Sequence, residues 1–347
     1  MATKKPISTN IRYFNEVKDN TDGTITKSFR SNDKKYQGKF LAEIQWMVNV
    51  PKILKPYIPT IHKYKFDLNK LSITMDKLYE PTIHELIFNN KIKTIPWNSI
   101  AEAYNTFFAK CKKCQIKNLH IRDWTKKLLN FYLVRTCEDI KLAIKSNELI
   151  KECFWDVNNV IINNKKYPSL QTIYNFIDSI IIKATKHKQI PSLFSKLITP
   201  SKSRICTVHL DMVFSNVFYN SETKSIKVVD PRGVFADSYQ YGDLYYDYAK
   251  IIQCVDSRYD FIVKDLFSYK IDEKNNSIEY NIQTNKKLEQ AKKIVNEIVP
   301  KKDMDVVKLI EALQFFCMIP AHDDKPNRQF VQMCNAVRLF CALVKVK

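Results

Sequence analysis

The pattern of apolar and polar positions changes character near residue 80. Before that point, apolar residues alternate with polar ones over residues 11–19, 24–29, 61–66 and 71–75, which predicts four strands. Residues 37–49 instead have the spacing of an amphipathic helix. Asn20 to Gly23 is a turn signal between the first two strands. The order strand, strand, helix, strand, strand predicts a small α+β lobe.

The rest of the chain is predicted to be mainly helical. Helical spacing covers residues 82–89, 97–114, 123–135, 138–153, 170–187, 243–255, 259–266, 286–298, 303–318 and 327–346. Short strands are predicted at residues 160–162, 166–167, 206–209, 217–219 and 226–229. The first strand pair turns on Asn163-Asn164, and no internal repeat or low-complexity linker separates these elements.

Composition places the chain among ordinary globular proteins. Its 347 residues suffice for two modest domains, and 45% are hydrophobic, which argues against disorder. No apolar run is long enough to span a bilayer, and the first residues lack the apolar core of a signal peptide. We therefore expect a cytoplasmic protein with no membrane partner. The sequence leaves its oligomeric state open.

The net charge of +20 raises the question of a nucleic-acid partner. Lysines are spread along the whole chain, and no RNA- or DNA-binding motif appears. We therefore do not expect nucleic acid as the main partner. A positive field would equally assist binding of a nucleotide or another anion.

Glycine and cysteine usage excludes several site classes. With only four glycines, the chain has no room for a Rossmann or Walker-type phosphate loop. The nine cysteines are odd in number and scattered through apolar patterns, as reduced cysteines are. Cys111 and Cys114 form a single CxxC pair without a second half, so we interpret them as two helix thiols rather than a zinc site.

The segment from residue 208 to residue 233 carries the candidate chemistry. His209, Asp211 and Asn216 have the spacing H-x-D-x-x-x-x-N, and Asp230 follows the strand predicted at residues 226–229. Phosphoryl transfer requires a carboxylate near the attacking hydroxyl and hard oxygen ligands for magnesium. In this interpretation Asp211 is the catalytic base, and Asn216 and Asp230 bind Mg²⁺. Turn-forming Asx residues are the structural alternative.

This segment resembles the catalytic core of the aminoglycoside phosphotransferase and choline kinase branch of the protein-kinase-like superfamily. The segment Tyr241-Gly242-Asp243 with Asp247 is similar to the segment that follows in that family. Asp230-Pro-Arg-Gly233, residues 160–167 and residues 318–324 are most similar to kinase-like proteins of capsular polysaccharide gene clusters.

The resemblance covers nearly the whole chain and implies a bilobal kinase-like fold of the α+β class. The small β-rich N-lobe would span residues 1–79 and the larger, mainly helical C-lobe residues 80–347. ATP or GTP would bind between them with Mg²⁺, next to a small hydroxylated substrate. Its implied nucleotide-binding residues are Lys27, Glu43, Asp76 and Leu78. Lys35 and Lys39 are alternative partners of Glu43.

Four further residues are expected to support the site or contact the substrate. We expect His209 to hold the catalytic loop and Asp243 to brace it or cap a helix. Arg232 either reaches an acidic substrate or holds a carboxylate such as Asp243. His322 either contacts substrate or ends a helix.

Three departures from the family pattern leave rival functions open. Leu210 stands where the family usually has glycine, the turn over the nucleotide contains only Gly23, and Asp230 is followed by Pro-Arg. The expected activity is an ATP-dependent small-molecule kinase acting on a hydroxyl or amine of a sugar, amino sugar or amino alcohol. Leu210 and the glycine-poor turn motivate one rival, a pseudokinase or nucleotide-binding scaffold. The net charge of +20 motivates the other, a basic nucleic-acid-binding protein.

Overall fold

The computed structural model describes residues 15–30, 34–67 and 70–346. The strands are β1 Asn15–Asp19, β2 Thr24–Phe29, β3 Ile61–Asp67, β4 Lys70–Asp76, β5 Asn159–Ile162, β6 Lys165–Pro168, β7 Ile205–Thr207, β8 Val217–Asn220, β9 Ser225–Val228, β10 Tyr241–Asp243, β11 Phe267–Asp272 and β12 Ser277–Ile282. Residues 11–14 of the first predicted strand lie outside the described residues.

The helices follow the same chain order. The α-helices are α1 Lys34–Asn49, α2 Ile83–Phe88, α3 Trp97–Lys113, α4 Ile121–Leu129, α5 Arg135–Ser146, α6 Glu148–Ile150, α7 Leu170–Thr185, α8 Ser192–Ile198, α9 Leu244–Val255, α10 Tyr259–Val263, α11 Lys286–Ile298, α12 Met304–Met318 and α13 Pro326–Leu343. The 3₁₀ turns are Lys52–Tyr57, Phe214–Asn216, Lys301–Asp303 and Ile319–His322, and the π-helical segments are Asn130–Val134 and Lys151–Trp155.

The chain divides into two compact units. The first unit combines Met1–Ile116 with Ile205–Asp243, and the second combines Lys117–Arg204 with Leu244–Lys347, each as far as it is described. The predicted α+β class is confirmed, because the first part of the chain is rich in strands and the last part is mainly helical. The lobe boundary at residue 79 stays a prediction.

The first unit begins with a four-stranded antiparallel sheet in the order β1-β2-β4-β3. Helix α1 packs against β3 and β4. Leu71, Ile73 and Met75 alternate along β4 and are buried, whereas the residues between them are partly exposed. Because alternate residues share a face of a strand, this pattern buries one face of the sheet.

The remaining part of the first unit contains the segment that carries the candidate chemistry. Strands β8 and β9 form an antiparallel hairpin, and β7 pairs with β10. Helix α3 packs against β7 and β9. The short strands predicted at residues 217–219 and 226–229 are confirmed within one residue at their ends. Residue 243 ends a strand instead of beginning a helix, which corrects the helix predicted from residue 243.

The second unit contains a helical core and one sheet. Helix α12 packs against α5, α9 and α13, and the sheet has the order β11-β12-β5-β6. Asn163 and Asn164 both have positive φ in the β5–β6 turn, as a two-residue hairpin loop requires. Strands β11 and β12 and helix α8 were not among the predicted elements.

The helix predicted over residues 138–153 is interrupted. Asn147 leaves the helical conformation, and its side chain accepts a hydrogen bond from the Ile150 N–H at 3.2 Å, so it caps a new helix. The break predicted between residues 135 and 138 is wrong, because α4 continues through the π-helical segment Asn130–Val134 into α5. Periodicity alone does not distinguish a π-helical insertion from a helix end.

The structure also describes the two cysteines of the CxxC pair and the apolar helices. Cys111 lies in the last turn of α3 and Cys114 directly follows the helix, and neither forms a disulfide bond. Among the residues that the structure describes, no helix is both long and apolar enough to cross a membrane.

Candidate active site

A buried lysine joins two acidic residues that are far apart in the sequence. The Lys27 ammonium lies 2.7 Å from Glu43 Oε1 and 2.8 Å from Asp230 Oδ1. Lys27 and Glu43 are 5% and 7% exposed, whereas the Asp230 side chain is 38% exposed. The structure therefore pairs Glu43 with Lys27. Lys39 instead lies over the Tyr36 ring, and the Lys35 side chain is outside the described residues.

The sheet register explains why Lys27 points inward. Lys27 on β2 pairs with Ile73 on β4, and directly opposite residues of an antiparallel pair share a face. Lys27 thus lies on the buried face, where Glu43 on α1 meets it. Burial alone lowers the pKa of Lys27, but the attraction of Asp230 and Glu43 and their hydrogen bonds outweigh it and raise the pKa above its usual value. Lys27 is therefore a permanent cation.

Gly233 brings the segment after Asp230 into contact with α1. A Cβ atom at Gly233 would lie 2.1 Å from the Ala42 carbonyl oxygen and 2.8 Å from the Glu43 nitrogen. No side chain fits there, and the φ of +77° also favours glycine. This close contact holds the segment that contains Asp230 against the backbone of α1 at Ala42 and Glu43.

Asp230 itself has a left-handed backbone conformation. Its φ is +57°, although it precedes Pro231, and residues before proline normally prefer extended conformations. Asp and Asn tolerate this region better than other side chains, at a cost of about 1–2 kcal/mol. The surrounding bonds must hold this conformation, as is common at functional sites.

The β8–β9 hairpin places Asn216 beside Asp230. Asn216 directly precedes β8, and its carbonyl oxygen accepts a hydrogen bond from the Val229 N–H at 3.0 Å. The Asn216 side-chain amide donates to the Asp211 carbonyl oxygen at 3.0 Å and to Asp211 Oδ2 at 3.2 Å. The three residues of the predicted chemistry are therefore neighbours in the first unit, linked through Asn216.

His209 is fully buried behind this loop. Burial lowers its pKa to about 4, against the raising effects of Asp211 and other neighbours, so the imidazole is neutral at neutral pH. Its Nδ1 accepts a hydrogen bond from the Asp211 N–H at 3.3 Å, and its carbonyl oxygen accepts one from the Arg232 N–H. A neutral, buried acceptor of this kind suits a residue that holds a loop.

Leu210 has a left-handed backbone conformation, which glycine adopts most easily. Its φ is +68°, and its side chain is 3% exposed. The left-handed conformation costs about 1–2 kcal/mol, but burying a leucine side chain contributes about 1.5–3 kcal/mol. The turn between His209 and Asp211 thus forms without glycine because its side chain is packed.

The β1–β2 turn is bonded to Lys77, which directly follows β4. The Lys77 N–H donates to the Gly23 carbonyl oxygen at 3.0 Å, and the Lys77 ammonium forms an ion pair with Asp19. Within the turn, Asp22 accepts hydrogen bonds from the backbone and hydroxyl of Thr24. The predicted nucleotide cover is therefore a braced turn.

The predicted hinge residues lie at the end of β4. The Asp76 N–H donates to the Thr60 carbonyl oxygen at 3.0 Å, and the Asp76 carboxylate lies 2.6 Å from the His62 ring nitrogen Nε2. The amide and side chain of Asp76 are thus used within the first unit. Adenine contacts by the backbone of Asp76 and Leu78 stay a prediction.

The remaining predicted residues fall in different places. Arg232 is partly exposed, and both of its alternatives remain open. Asp243 is fully buried and pairs with Ile205 between β10 and β7. His322 belongs to the second unit and ends the 3₁₀ turn before α13.

The donor set at Asn216 and Asp230 fits magnesium. An amide oxygen and a carboxylate are hard ligands, and Mg²⁺ typically takes one or two protein carboxylates and completes its shell with phosphates and water. Among the described residues, no group of three or more His, Cys, Asp or Glu side chains is arranged to hold a metal ion. With these two protein donors, a magnesium ion would need phosphate or water oxygens to complete its shell.

Trp46 on α1 is a further neighbour of the candidate site. Its indole N–H donates to the Val208 carbonyl oxygen at 2.9 Å, and its ring meets the His209 ring edge-on at 5.7 Å between centroids. The spacing from Glu43, three positions along α1, puts both residues on one side of the helix.

Comparison with known proteins leaves the family open. No protein-family model matches the sequence. No curated protein sequence matches it either. Among solved structures, the fold is similar to spectinomycin phosphotransferase, APH(9)-Ia, in complex with ADP and spectinomycin, at 10% identity and a TM-score of 0.37, over 95% of this chain and 84% of that one. The functional proposal therefore rests on the residues of the first unit.

Proposed function

We propose that this protein is a small-molecule kinase that transfers the γ-phosphoryl group of ATP to a hydroxyl or amine of a sugar, amino sugar or amino alcohol. The observation that carries the proposal is the pairing of Lys27 with Glu43 and Asp230. The backbone bond from Val229 to Asn216 and the side-chain bond from Asn216 to Asp211 bring the other two residues of the site to the same place. A buried permanent cation beside two hard-oxygen donors and a carboxylate is the set of groups that phosphoryl transfer uses.

Each residue has a separate task in the transfer. Lys27, fixed by Glu43, neutralises phosphate charge, while Asn216 and Asp230 would hold Mg²⁺, which adds neutralising charge at the phosphates. Asp211 accepts the proton of the acceptor hydroxyl as its oxygen bonds to the γ-phosphorus. The bond from that phosphorus to the β–γ bridging oxygen breaks, and ADP leaves.

A catalytically silent nucleotide-binding scaffold is the second candidate. Two observations favour it: Leu210 occupies a left-handed position in the catalytic loop, and the β1–β2 turn is braced and contains one glycine. Such a scaffold would keep the Lys27–Glu43 pair and bind nucleotide without consuming it.

The test is a screen for acceptor-dependent ADP release from ATP and Mg²⁺, using sugars, amino sugars and amino alcohols. We expect the wild type to release ADP with one class, and Asp211→Ala to lower the rate by about 10²–10⁴-fold while still binding ATP. Asp230→Asn should lose Mg²⁺-dependent turnover.

The outcomes separate the candidates. ATP binding without ADP release by the wild type would establish the scaffold. Equal ADP release by the wild type and both variants would refute the assignment of the site. A third outcome is that the protein binds neither ATP nor GTP but binds RNA or DNA with an affinity that rises steeply as the salt concentration falls. The protein would then be a basic nucleic-acid-binding protein rather than a kinase or a nucleotide-binding scaffold.

A further inference from the structure

Helix α1 reaches the catalytic loop through Trp46. The side chain is 3% exposed, its N–H bonds to the carbonyl oxygen of Val208, and its ring packs edge-on against His209 at an interplanar angle of 81°. Both contacts fall on the two residues before Leu210. They hold the loop directly upstream of its strained position.

We infer that Trp46 is a positioning residue for Asp211, acting through Val208 and His209. This inference rests on the proposed kinase function. It assigns a part in that function to a residue that belongs neither to the phosphate-binding set nor to the metal-binding set.

The first step is the link from Val208 to Asp211. The left-handed conformation of Leu210 is unfavourable for a residue with a Cβ atom, so its neighbours must hold it. On one side of it, Trp46 fixes the Val208 carbonyl and the His209 ring. On the other, the Asp211 N–H bonds to His209 Nδ1 at 3.3 Å. Without Trp46, a buried carbonyl loses its donor and the His209 ring loses a wall.

The second step is the shared helix. Glu43, one turn before Trp46 on α1, holds Lys27, and Gly233 packs on the backbone of Ala42 and Glu43. Helix α1 thus fixes the lysine through Glu43 and the catalytic loop through Trp46. A change at Trp46 leaves the Lys27–Glu43–Asp230 contacts in place, so its effect on catalysis is separable from nucleotide binding.

Trp46→Phe is the informative variant. It keeps an aromatic ring beside His209 and removes the donor to Val208. The indole also borders a cavity of about 760 Å³ together with Phe66 and Tyr239. A smaller ring would extend this existing space rather than create a sealed void, so we expect the variant to fold. Trp124→Phe is the matched control, because Trp124 is also 3% exposed and lies in the second unit.

The experiment has one arm that needs activity and one that does not. The first measures ADP release from ATP and Mg²⁺ with the same sugars, amino sugars and amino alcohols as acceptors. For Trp46→Phe we expect at least a tenfold fall in kcat and less than a threefold change in the KM for ATP, because misplacement of a catalytic group slows the chemical step. Trp124→Phe should change neither.

The second arm follows deuterium uptake by peptides covering residues 205–216. We expect faster exchange in Trp46→Phe than in the wild type or Trp124→Phe, because the Asp211 N–H bond is released. If the wild type releases no ADP, the kinase proposal fails, and this arm alone decides the role of Trp46. Unchanged exchange, an unchanged kcat in an active enzyme, or an equal loss in both variants would overturn the inference.

Discussion

The ammonium of Lys27 lies 2.8 Å from the carboxylate of Asp230, a residue 203 positions later in the chain. The same ammonium holds Glu43 on α1 at 2.7 Å. One cation therefore joins the first sheet, the first helix and the end of the β8–β9 hairpin. The predictions below depend on how tightly these parts are held.

Replacing Lys27 by methionine should destabilise the protein and abolish nucleotide binding. The substitution leaves the Glu43 carboxylate buried without its cation, and breaking a buried ion pair costs about 3–5 kcal/mol. Urea unfolding and ATP titration measure the two effects. The control is Lys39→Met on α1, for which we expect the free energy of unfolding to change by less than about 1 kcal/mol. A Lys27→Met protein as stable as the wild type would contradict the buried pairing.

Two glycines should respond in opposite directions to alanine. In Gly233→Ala the new Cβ would lie 2.1 Å from the Ala42 carbonyl oxygen at a φ of +77°, so either α1 or the segment after Asp230 must move. We expect a loss of more than about 1 kcal/mol and loss of ADP release.

The control is Gly38→Ala on α1. Nothing lies within 4 Å of a Cβ at Gly38, and alanine favours the helix by about 0.5–1 kcal/mol. Thermal denaturation should show a higher midpoint for Gly38→Ala and a lower one for Gly233→Ala. Equal midpoints would rule out the close contact at Gly233.

His209 should make the first unit sensitive to acid. Its pKa is about 4 when folded and 6.5 in the reference state, so the folded protein binds fewer protons between these values. Stability is therefore lost as the pH falls from about 6.5 towards 4, by up to about 1.4 kcal/mol per pH unit. Urea midpoints between pH 4.5 and 7.5 measure this slope.

A variant that cannot titrate isolates this effect. His209→Gln should unfold with a shallower pH dependence than the wild type, whatever its absolute stability. His120→Gln, at an exposed position, is the control and should keep the wild-type slope. Parallel slopes for His209→Gln and the wild type would show that His209 is not held neutral.

Glu311 should give the second unit the opposite sensitivity. Burial raises the pKa of Glu311 from 4.5 to about 8, and the hydrogen bond from the Ser257 hydroxyl only partly opposes this. The folded protein holds a proton that the unfolded chain releases, so stability is lost as the pH rises from about 4.5 to 8. Glu311→Gln should remove the slope, and Glu297→Gln, at an exposed position, should not. Urea midpoints from pH 5 to 9 measure both.

The sequence predicted local structure wherever one periodicity dominated. The predicted helix α1 and the predicted strands β2, β3, β4, β8 and β9 are confirmed within a few residues. Strands β11 and β12 were not predicted. In β12, Ser277–Ile282, polar and apolar residues alternate, and the more buried residues alternate with the more exposed ones in the same way. Tyrosines and lysines weaken that signal, because an amphipathic side chain fits either face.

The sequence predicted which residues form the candidate site, but not the contacts that hold those residues in place. The spacing of Asp211, Asn216 and Asp230 along the chain identified them as candidates. Lys27 was chosen because it lies on a predicted strand, and Glu43 because it lies on the helix that follows. The roles of all five residues stay predictions. The donor from Trp46 to Val208 was not visible, because a tryptophan on an apolar helix face is indistinguishable from a packing residue. The contact of Gly233 with Ala42 also depends on tertiary structure, which no local pattern encodes.

The braced β1–β2 turn has a mechanical consequence. Lys77 ties Asp19 and Gly23 to the end of β4, so the turn and that strand end should move as one body. A cover of this kind acts as a fixed wall rather than a flap. If a nucleotide binds beneath this turn, the space for its phosphates has a fixed size. A phosphate donor that carries a bulky group near its terminal phosphates would then not fit.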